Sequence, residues 1–208
     1  MKKVLLFLFA SIVMLSVNAQ DDDDEMKTLF GRKSEVRGFG SFDIKVTEFN
    51  NENALFLGGH GGVILNKHFI LGGGGYGLTT KNDFEVTNDN ITEKFDLFGG
   101  YGGLVLGYII APKEIIHVSF PILIGAGGVE VVDDSRPIVN DLRATIERSA
   151  FFVVEPSVEI EMNITGFLRI SANGGYRYVE GVDLDVNNIS NNDLSSWTAG
   201  VSFKFGKF

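Results

Sequence analysis

The chain has 208 residues, 44% of them apolar and 22% charged, enough to bury one sizeable core and too apolar for disorder to be its main state. It contains no cysteine, which excludes disulfides, thiolate metal sites, thiol catalysis and a lipid-modified N-terminal cysteine. Its net charge of −9 argues against a nucleic-acid partner. Glycine is the compositional outlier at 26 residues, and four prolines without a three-residue period exclude collagen.

Residues 1–19 read as a signal peptide. Lys2 and Lys3 form a basic start, Val4 to Val17 is an apolar run too short to span a bilayer as a helix, and Val17-Asn18-Ala19 suits cleavage after Ala19. Cleavage leaves 208 minus 19, or 189 residues, with 16 basic against 27 acidic side chains, a net charge of −11. An acidic segment follows over 20–35. Its run Asp21-Asp22-Asp23-Asp24-Glu25 reads as a solvated stretch rather than a cation site, because adjacent like charges repel.

From residue 36 onward, period-two alternation recurs between turn residues, and no run reaches the length of an apolar membrane helix. Eight strands are expected, over 36–49, 54–65, 69–80, 93–110, 115–132, 150–163, 167–179 and 196–206. The sixth is the clearest: Val154, Pro156, Val158, Ile160 and Met162 alternate with Glu155, Ser157, Glu159 and Glu161. After a short first link at 50–53, short turns at 66–68, 111–114 and 164–166 alternate with longer polar loops at 81–92, 133–149 and 180–195. An even strand number, with short turns on one side and long loops on the other, predicts an all-β fold. Its form is an eight-stranded antiparallel up-and-down transmembrane β-barrel spanning 36–208, with both termini in the periplasm. A lipocalin-like soluble barrel is the structural alternative.

Aromatic residues fit two interfacial girdles: Tyr176, Tyr178 and Trp197 near the outer ends of the last strands, Phe203 and Phe205 near the inner end. The glycine pairs at 58–59, 61–62, 99–100, 102–103 and 174–175, and the run 72–75, lie within strands. There a narrow, sharply curved barrel makes a missing side chain useful.

The motifs Gly72-Gly73-Gly74-Gly75-Tyr76-Gly77, Gly99-Gly100-Tyr101-Gly102-Gly103 and Phe151-Phe152-Val153-Val154-Glu155-Pro156 resemble a known family, as do Tyr176-Arg177-Tyr178-Val179 and the ending Phe203-Lys204-Phe205-Gly206-Lys207-Phe208. It is the small outer-membrane β-barrel proteins of Bacteroidetes-type bacteria, similar in general form to the outer-membrane protein X and outer-membrane protein A barrels. The resemblance covers nearly all of the mature chain and implies a Gram-negative outer-membrane location. It implies no established activity. Phe208 is the expected assembly signal for the barrel-insertion machinery, although the outward face of the last strand is odd-numbered. Either Phe205 closes that strand in register or a bulge at Gly206 brings Phe208 outward.

With Gly166 as the left-handed residue of a three-residue hairpin loop, Asn163 faces Phe167 and Glu161 faces Arg169. Glu159 is then diagonal to Arg169, and Glu155 to Arg177. Met162, Ile160 and Val158 meet Leu168, Ile170 and Ala172 on the other face. These charges are expected to pair inside the barrel together with Asp43, Lys45 and Lys204, because an isolated buried ion costs several kcal/mol. A side-chain plug is the preferred reading of this network over a gate or polar binding site, since eight strands leave little interior space.

Chemistry is sparse. Gly72, Gly74 and Gly77 have dinucleotide-loop spacing but no following helix to hold phosphate. Asp183, Asp185 and Asn187 begin a calcium-loop pattern that Asn188 and Leu194 break, leaving at most weak divalent binding by an outer loop. His68 and His117 map to the periplasmic side and His60 to mid-strand, an unsuitable arrangement for the triad of outer-membrane palmitoyltransferase barrels. No metal or other cofactor is expected. In the loop at 133–149, Ile138, Leu142 and Ile146 fit either a short amphipathic helix or an extension of the sixth strand.

The functional expectation is a non-enzymatic, monomeric structural or surface-interaction protein acting through its extracellular loops. Its partners are outer-membrane lipids and lipopolysaccharide, with periplasmic chaperones and the insertion machinery during assembly. The alternative is passage of small hydrophobic molecules, as in the outer-membrane protein W group, favoured only by the glycine runs.

Overall fold

A computed structural model describes residues 35–50, 52–80, 82–88, 91–133, 145–184 and 189–208. The signal peptide, the acidic run at 21–25, Ile138 and Leu142, and Asp185, Asn187 and Asn188 of the calcium-loop pattern lie outside the described residues.

The strands are β1 (Val36–Phe49), β2 (Glu52–Leu65), β3 (Phe69–Leu78), β4 (Asn82–Asn88), β5 (Ile91–Ile110), β6 (Ile116–Asp133), β7 (Thr145–Asn163), β8 (Leu168–Glu180) and β9 (Ser196–Gly206). All neighbours are antiparallel. β1 pairs with both β2 and β9, and β3 and β4 both pair with β5, so the nine segments form a closed eight-stranded up-and-down barrel. The third wall strand is β3 continued by β4: Gly77 faces Gly100 and Asn82 faces Leu97, a slip of two residues at the join. On the other edge of the join, Thr79 N donates to Leu55 O and Thr80 Oγ1 accepts from Leu55 N, so the pairing with β2 continues past Leu78 with one side-chain bond.

The alternation has the inverted sense expected of a membrane barrel. Phe42, Val46, Leu104, Leu106, Val158, Ile160, Met162 and Val201 face outward and are exposed. Asp43, Lys45, Glu159, Glu161, Arg169, Ser202 and Lys204, the neighbours in sequence of several of these, are buried. Between Phe152 and Met162 every outward position of β7 is apolar. Ten residue steps of roughly 3.3 Å, on a strand tilted by about 40°, make a belt of about 25 Å, the height of a lipid-facing band. The charged outward residues Glu130 and Arg148 lie beyond it and bond each other at 3.3 Å.

The outward aromatics cluster at both rims. Tyr176 packs edge-on to Trp197 at 5.2 Å near the long-loop end. Phe167 and Phe205, at 5.7 Å, and Phe69 and Tyr108, at 5.1 Å, pair at the short-turn end. Phe69, Tyr108 and Phe167 thus join Tyr176, Tyr178, Trp197, Phe203 and Phe205, the five girdle positions expected from the sequence.

The glycine ladder sets the barrel's tight side. Gly103 faces Gly125 across β5 and β6, and a Cβ on Gly103 would fall 2.2 Å from Ile124 O, one on Gly125 2.1 Å from Gly102 O. Neighbouring backbones therefore approach more closely than any side chain permits.

Several sequence expectations need correction. The expected loop at 81–92 is mostly strand, because β4 and the start of β5 pair from Asn82–Leu97 to Asn88–Ile91 and carry the wall onward as a hairpin. At 145–149 the chain extends β7, with Ile146 exposed, which is the strand-extension alternative for these residues. The β7–β8 register is displaced by two residues: Asn163 faces Arg169, Glu161 faces Ser171, Met162 faces Ile170, Ile160 faces Ala172 and Val158 faces Gly174. Gly166 is not in the left-handed region, Gly181 being the only described glycine with positive φ. The turn is made by Thr165, whose hydroxyl accepts from the backbone N–H of Phe167 and Leu168, and whose own N–H donates to Leu168 O.

Candidate functional site

Inward-facing polar residues collect in layers along the barrel axis, each layer assembled by strand register. Nearest the short turns, His117 faces Glu161 and Ser119 faces Glu159 across β6 and β7, while Arg169 faces Lys204 across β8 and β9. Two cations on adjacent strands repel, and both turn toward the carboxylates of β7. Lys204 Nζ donates to Glu161 Oε1 at 2.9 Å and also to Glu159, and Arg169 Nη1 lies 3.4 Å from Glu161 Oε2. Ser119 Oγ donates to Glu161 at 2.5 Å, and His117 Nε2 lies 3.2 Å from the same carboxylate.

In the next layer, Lys45 Nζ donates to Glu155 Oε1 at 2.6 Å and stands 3.5 Å from the centre of the Tyr76 ring. Tyr101 Oη donates to the second oxygen of Glu155 at 2.5 Å. Asp43 takes neither lysine. Its Oδ2 accepts from Tyr76 Oη at 2.8 Å and lies 2.7 Å from His60 Nδ1.

The eight charged residues expected in the lumen, Asp43, Lys45, Glu155, Glu159, Glu161, Arg169, Arg177 and Lys204, are all buried. They comprise four carboxylates and four cations. Taking such ions out of water costs several kcal/mol each, which their mutual bonds offset. Two expected pairings differ. Arg169 and Glu161 are not cross-strand partners, yet arginine's length still brings them together. Arg177 makes main-chain bonds above its layer: Nε donates to Leu194 O and Nη2 to Glu48 O, both at 2.9 Å, with the guanidinium stacked near Phe56. Glu155, expected beside it, is held by Lys45 and Tyr101 instead.

His60, His117, Ser41, Ser119, Tyr76 and Tyr101 also belong to the network, beyond the residues expected from the sequence. Parity is the signal that could have found them, since each sits at an inward position of its strand. Ser41, His60 and Asp43 bring together the residue types of an acyl-transfer triad, but the wiring differs. Ser41 Oγ, at 2.9 Å, and Asp43 Oδ2 converge on the same nitrogen, Nδ1, whereas proton relay needs them on opposite nitrogens. Among the described residues no His, Asp, Glu or Cys cluster is arranged to hold a metal ion.

Between these layers remains a cavity of about 20 Å³, lined by Lys45, His60, Glu155, Glu159 and others, which is room for about one water molecule. The outer mouth is covered by the loop after β8. A short helix, α1 (Asn191–Leu194), opens with Ser190, whose N–H and hydroxyl both donate to Asp193 Oδ2. Leu184, Ile189 and the helix's own Leu194 are buried, and Asn50 N donates to Asp193 O, tying the loop to the β1–β2 turn. This part of the loop is therefore packed, where its polar sequence suggests a solvated one.

The opposite mouth holds a cavity of about 400 Å³ bordered by the short turns and by Phe208. β9 keeps its register with both neighbours to its end, so no bulge turns Phe208 outward. Phe205 is the last outward aromatic, and the Phe208 ring lies 4.0 Å beneath the Arg169 guanidinium.

No protein-family model matches the sequence, and no curated protein matches it. Solved structures do. Neisserial surface protein A aligns over 84% of this chain and 99% of its own at 12% identity, with a TM-score of 0.51. The N-terminal β-barrel domain of OprF from Pseudomonas aeruginosa aligns over 83% and 99% at 12% identity, TM-score 0.43. Ail, the attachment invasion locus protein of Yersinia pestis, aligns over 82% and 98% at 12% identity, TM-score 0.39. At such identities the likeness is one of fold: the chain is a closed eight-stranded barrel of the outer-membrane type.

Proposed function

We propose that the protein is a non-enzymatic outer-membrane barrel whose filled interior anchors exposed loops, and that these loops engage lipopolysaccharide, another surface or a protein partner. A Bacteroidetes-type affiliation and a cleaved signal peptide are part of the same proposal and rest on the sequence motifs. The observation that supports it is the packing between the polar layers, where the cavity lined by Lys45, His60, Glu155 and Glu159 has room for about one water, together with the burial of Leu184, Ile189 and Leu194 in the loop after β8. A barrel closed in this way offers its surface rather than its bore. Neisserial surface protein A, which shares the fold, is by name a surface protein, and a surface role for this chain is consistent with that. The passage alternative draws on glycine runs weakening strand pairing. Those runs pair without interruption across β2–β3 and β3–β5, but the β1–β2 ladder breaks between Gly40–Gly61 and Asp43–Gly58, where the Ser41 hydroxyl bonds the His60 backbone instead, so any weakening is confined to that seam.

The test is planar-bilayer conductance of the refolded protein beside binding to lipopolysaccharide vesicles and whole cells. No steady conductance is expected, and binding is expected to be lost when the tips of the long loops are replaced by short turns. Steady conductance, with binding indifferent to the loops, contradicts the proposal.

A further inference from the structure

The cavity at the short-turn mouth is unlike the rest of this acidic protein. Of the residues lining its 400 Å³, four are cationic, Arg37, Lys67, Lys113 and Arg169, and none is Asp or Glu. They come from four separate places: the start of β1, the β2–β3 turn, the β5–β6 turn and the start of β8. Only closure of the barrel brings them together.

Their charge is incompletely answered. Glu35, beside the cavity, bonds both Arg37 and Lys67 with one carboxylate. Lys113 has no ion-pair partner among the described residues. Arg169 is 4% exposed, its Nε has no hydrogen-bond partner and its bond to Glu161 is long at 3.4 Å. The Phe208 ring, Ile64 and Pro112 give the same cavity an apolar flank.

We infer that this mouth is a binding site for a phosphate-bearing headgroup, supplied either by a soluble phosphate ester or by a phospholipid of the adjoining leaflet. The chemistry follows from the lining. Guanidinium forks and ammonium groups converge as charge-assisted donors suited to a phosphate's oxygens. The apolar flank suits the glycerol and first carbons of the ester. The volume is within the range of small-molecule pockets, roughly 300–1,000 Å³. This site lies at the opposite end of the barrel from the loops of the proposed surface role and does not depend on that role.

The experiment uses the full barrel refolded in micelles of a zwitterionic detergent, with folding checked by heat-modifiable migration. Glycerol 3-phosphate is titrated calorimetrically against a glycerol control, and phosphatidylglycerol retention is compared with phosphatidylcholine by native mass spectrometry. Lys67→Gln with Lys113→Gln is expected to weaken binding about tenfold, the loss of two charge-assisted contacts. Glu35→Gln, which releases Arg37 and Lys67, is expected to tighten it by up to about fivefold, a gain that damage to the fold does not produce. Binding of glycerol 3-phosphate identifies the soluble source, and retention of phosphatidylglycerol alone the lipid source; either supports the site. No preference for either probe over its control, or affinities unmoved by both sets of substitutions, overturns it.

Discussion

Arg177 Nε donates to the carbonyl of Leu194 at 2.9 Å, so a cation rooted in the barrel wall holds the last residue of the helix that covers the mouth. Its Nη2 bond to Glu48 O secures β1 at the same time. Cationic side chains commonly satisfy the last carbonyls of a helix, and here that local device closes the molecule. Arg177→Met keeps the packing against Phe49 and Phe56 but removes both donors. The expected outcome is a barrel that still folds, with the 181–195 loop becoming cleavable by protease and amide protection lost at Asn191–Leu194. Unchanged protection in hydrogen exchange contradicts the assigned role.

Lys204 sits between Glu159 and Glu161, and removing it leaves Glu159 without a cation and Glu161 with only the long bond from Arg169 as an ion pair. Lys204→Met is expected to cost about 3–5 kcal/mol, as for other broken buried ion pairs. Adding Glu159→Gln, with Glu161 kept as the partner of Arg169, is expected to recover part of that loss, because a neutral residue 159 no longer needs the cation. Reversible urea unfolding in lipid vesicles measures all three proteins. A Lys204→Met barrel as stable as the parent shows that the network does not hold the interior.

Glycine substitution separates close approach from composition. Gly103→Ala places a methyl 2.2 Å from Ile124 O and is expected to destabilise by about 1–3 kcal/mol. Gly40→Ala and Gly77→Ala meet nothing within 4 Å and are expected to be neutral or mildly stabilising in the same unfolding assay.

Glu35, outside the strands, is held below the ordinary carboxylate range chiefly by its hydrogen bond with Arg37, which outweighs the opposing effect of desolvation, with a lesser contribution from Lys67. A lowered folded-state value means that its contribution is complete above the unfolded value, about 4.3, and disappears as pH falls through the folded one. Carboxyl-carbon titration by NMR is expected to place Glu35 below that unfolded value, and Arg37→Gln to move it upward. A titration near the unfolded value in the parent protein contradicts the pairing.

The faces of the strands were legible in the sequence and their partners were less so, for a physical reason. Side-chain direction repeats every two residues, so an even slip preserves which residues point inward. The β7–β8 register could therefore be wrong by two while Glu159, Glu161 and Arg169 were still placed in the lumen. The loop length that fixes register depended on Thr165, whose hydroxyl closes the turn, and not on the glycine beside it. The lid was hidden because Leu184, Ile189 and Leu194 follow no strand or helix period. They are apolar residues scattered through a polar loop, and only the position of the mouth gives them a common target. Phe208 shows the same limit: parity left open either closure at Phe205 or a bulge at Gly206, the uninterrupted register of β9 decides for the first, and the contact of Phe208 with Arg169 depends on where β8 begins.

Alternate residues of β7 place apolar side chains on the exposed face and charged ones in the buried interior. Because the chain has no native cysteine, single spin labels at Val158, Glu159, Ile160, Glu161 and Met162 in bilayers probe that inversion residue by residue. High collision rates with dissolved oxygen are expected at 158, 160 and 162, and low rates with both oxygen and a water-soluble nickel chelate at 159 and 161. Oxygen contact strongest at 159 and 161, with 158, 160 and 162 shielded, would mean that the apolar face is the core and that the chain is not a membrane barrel.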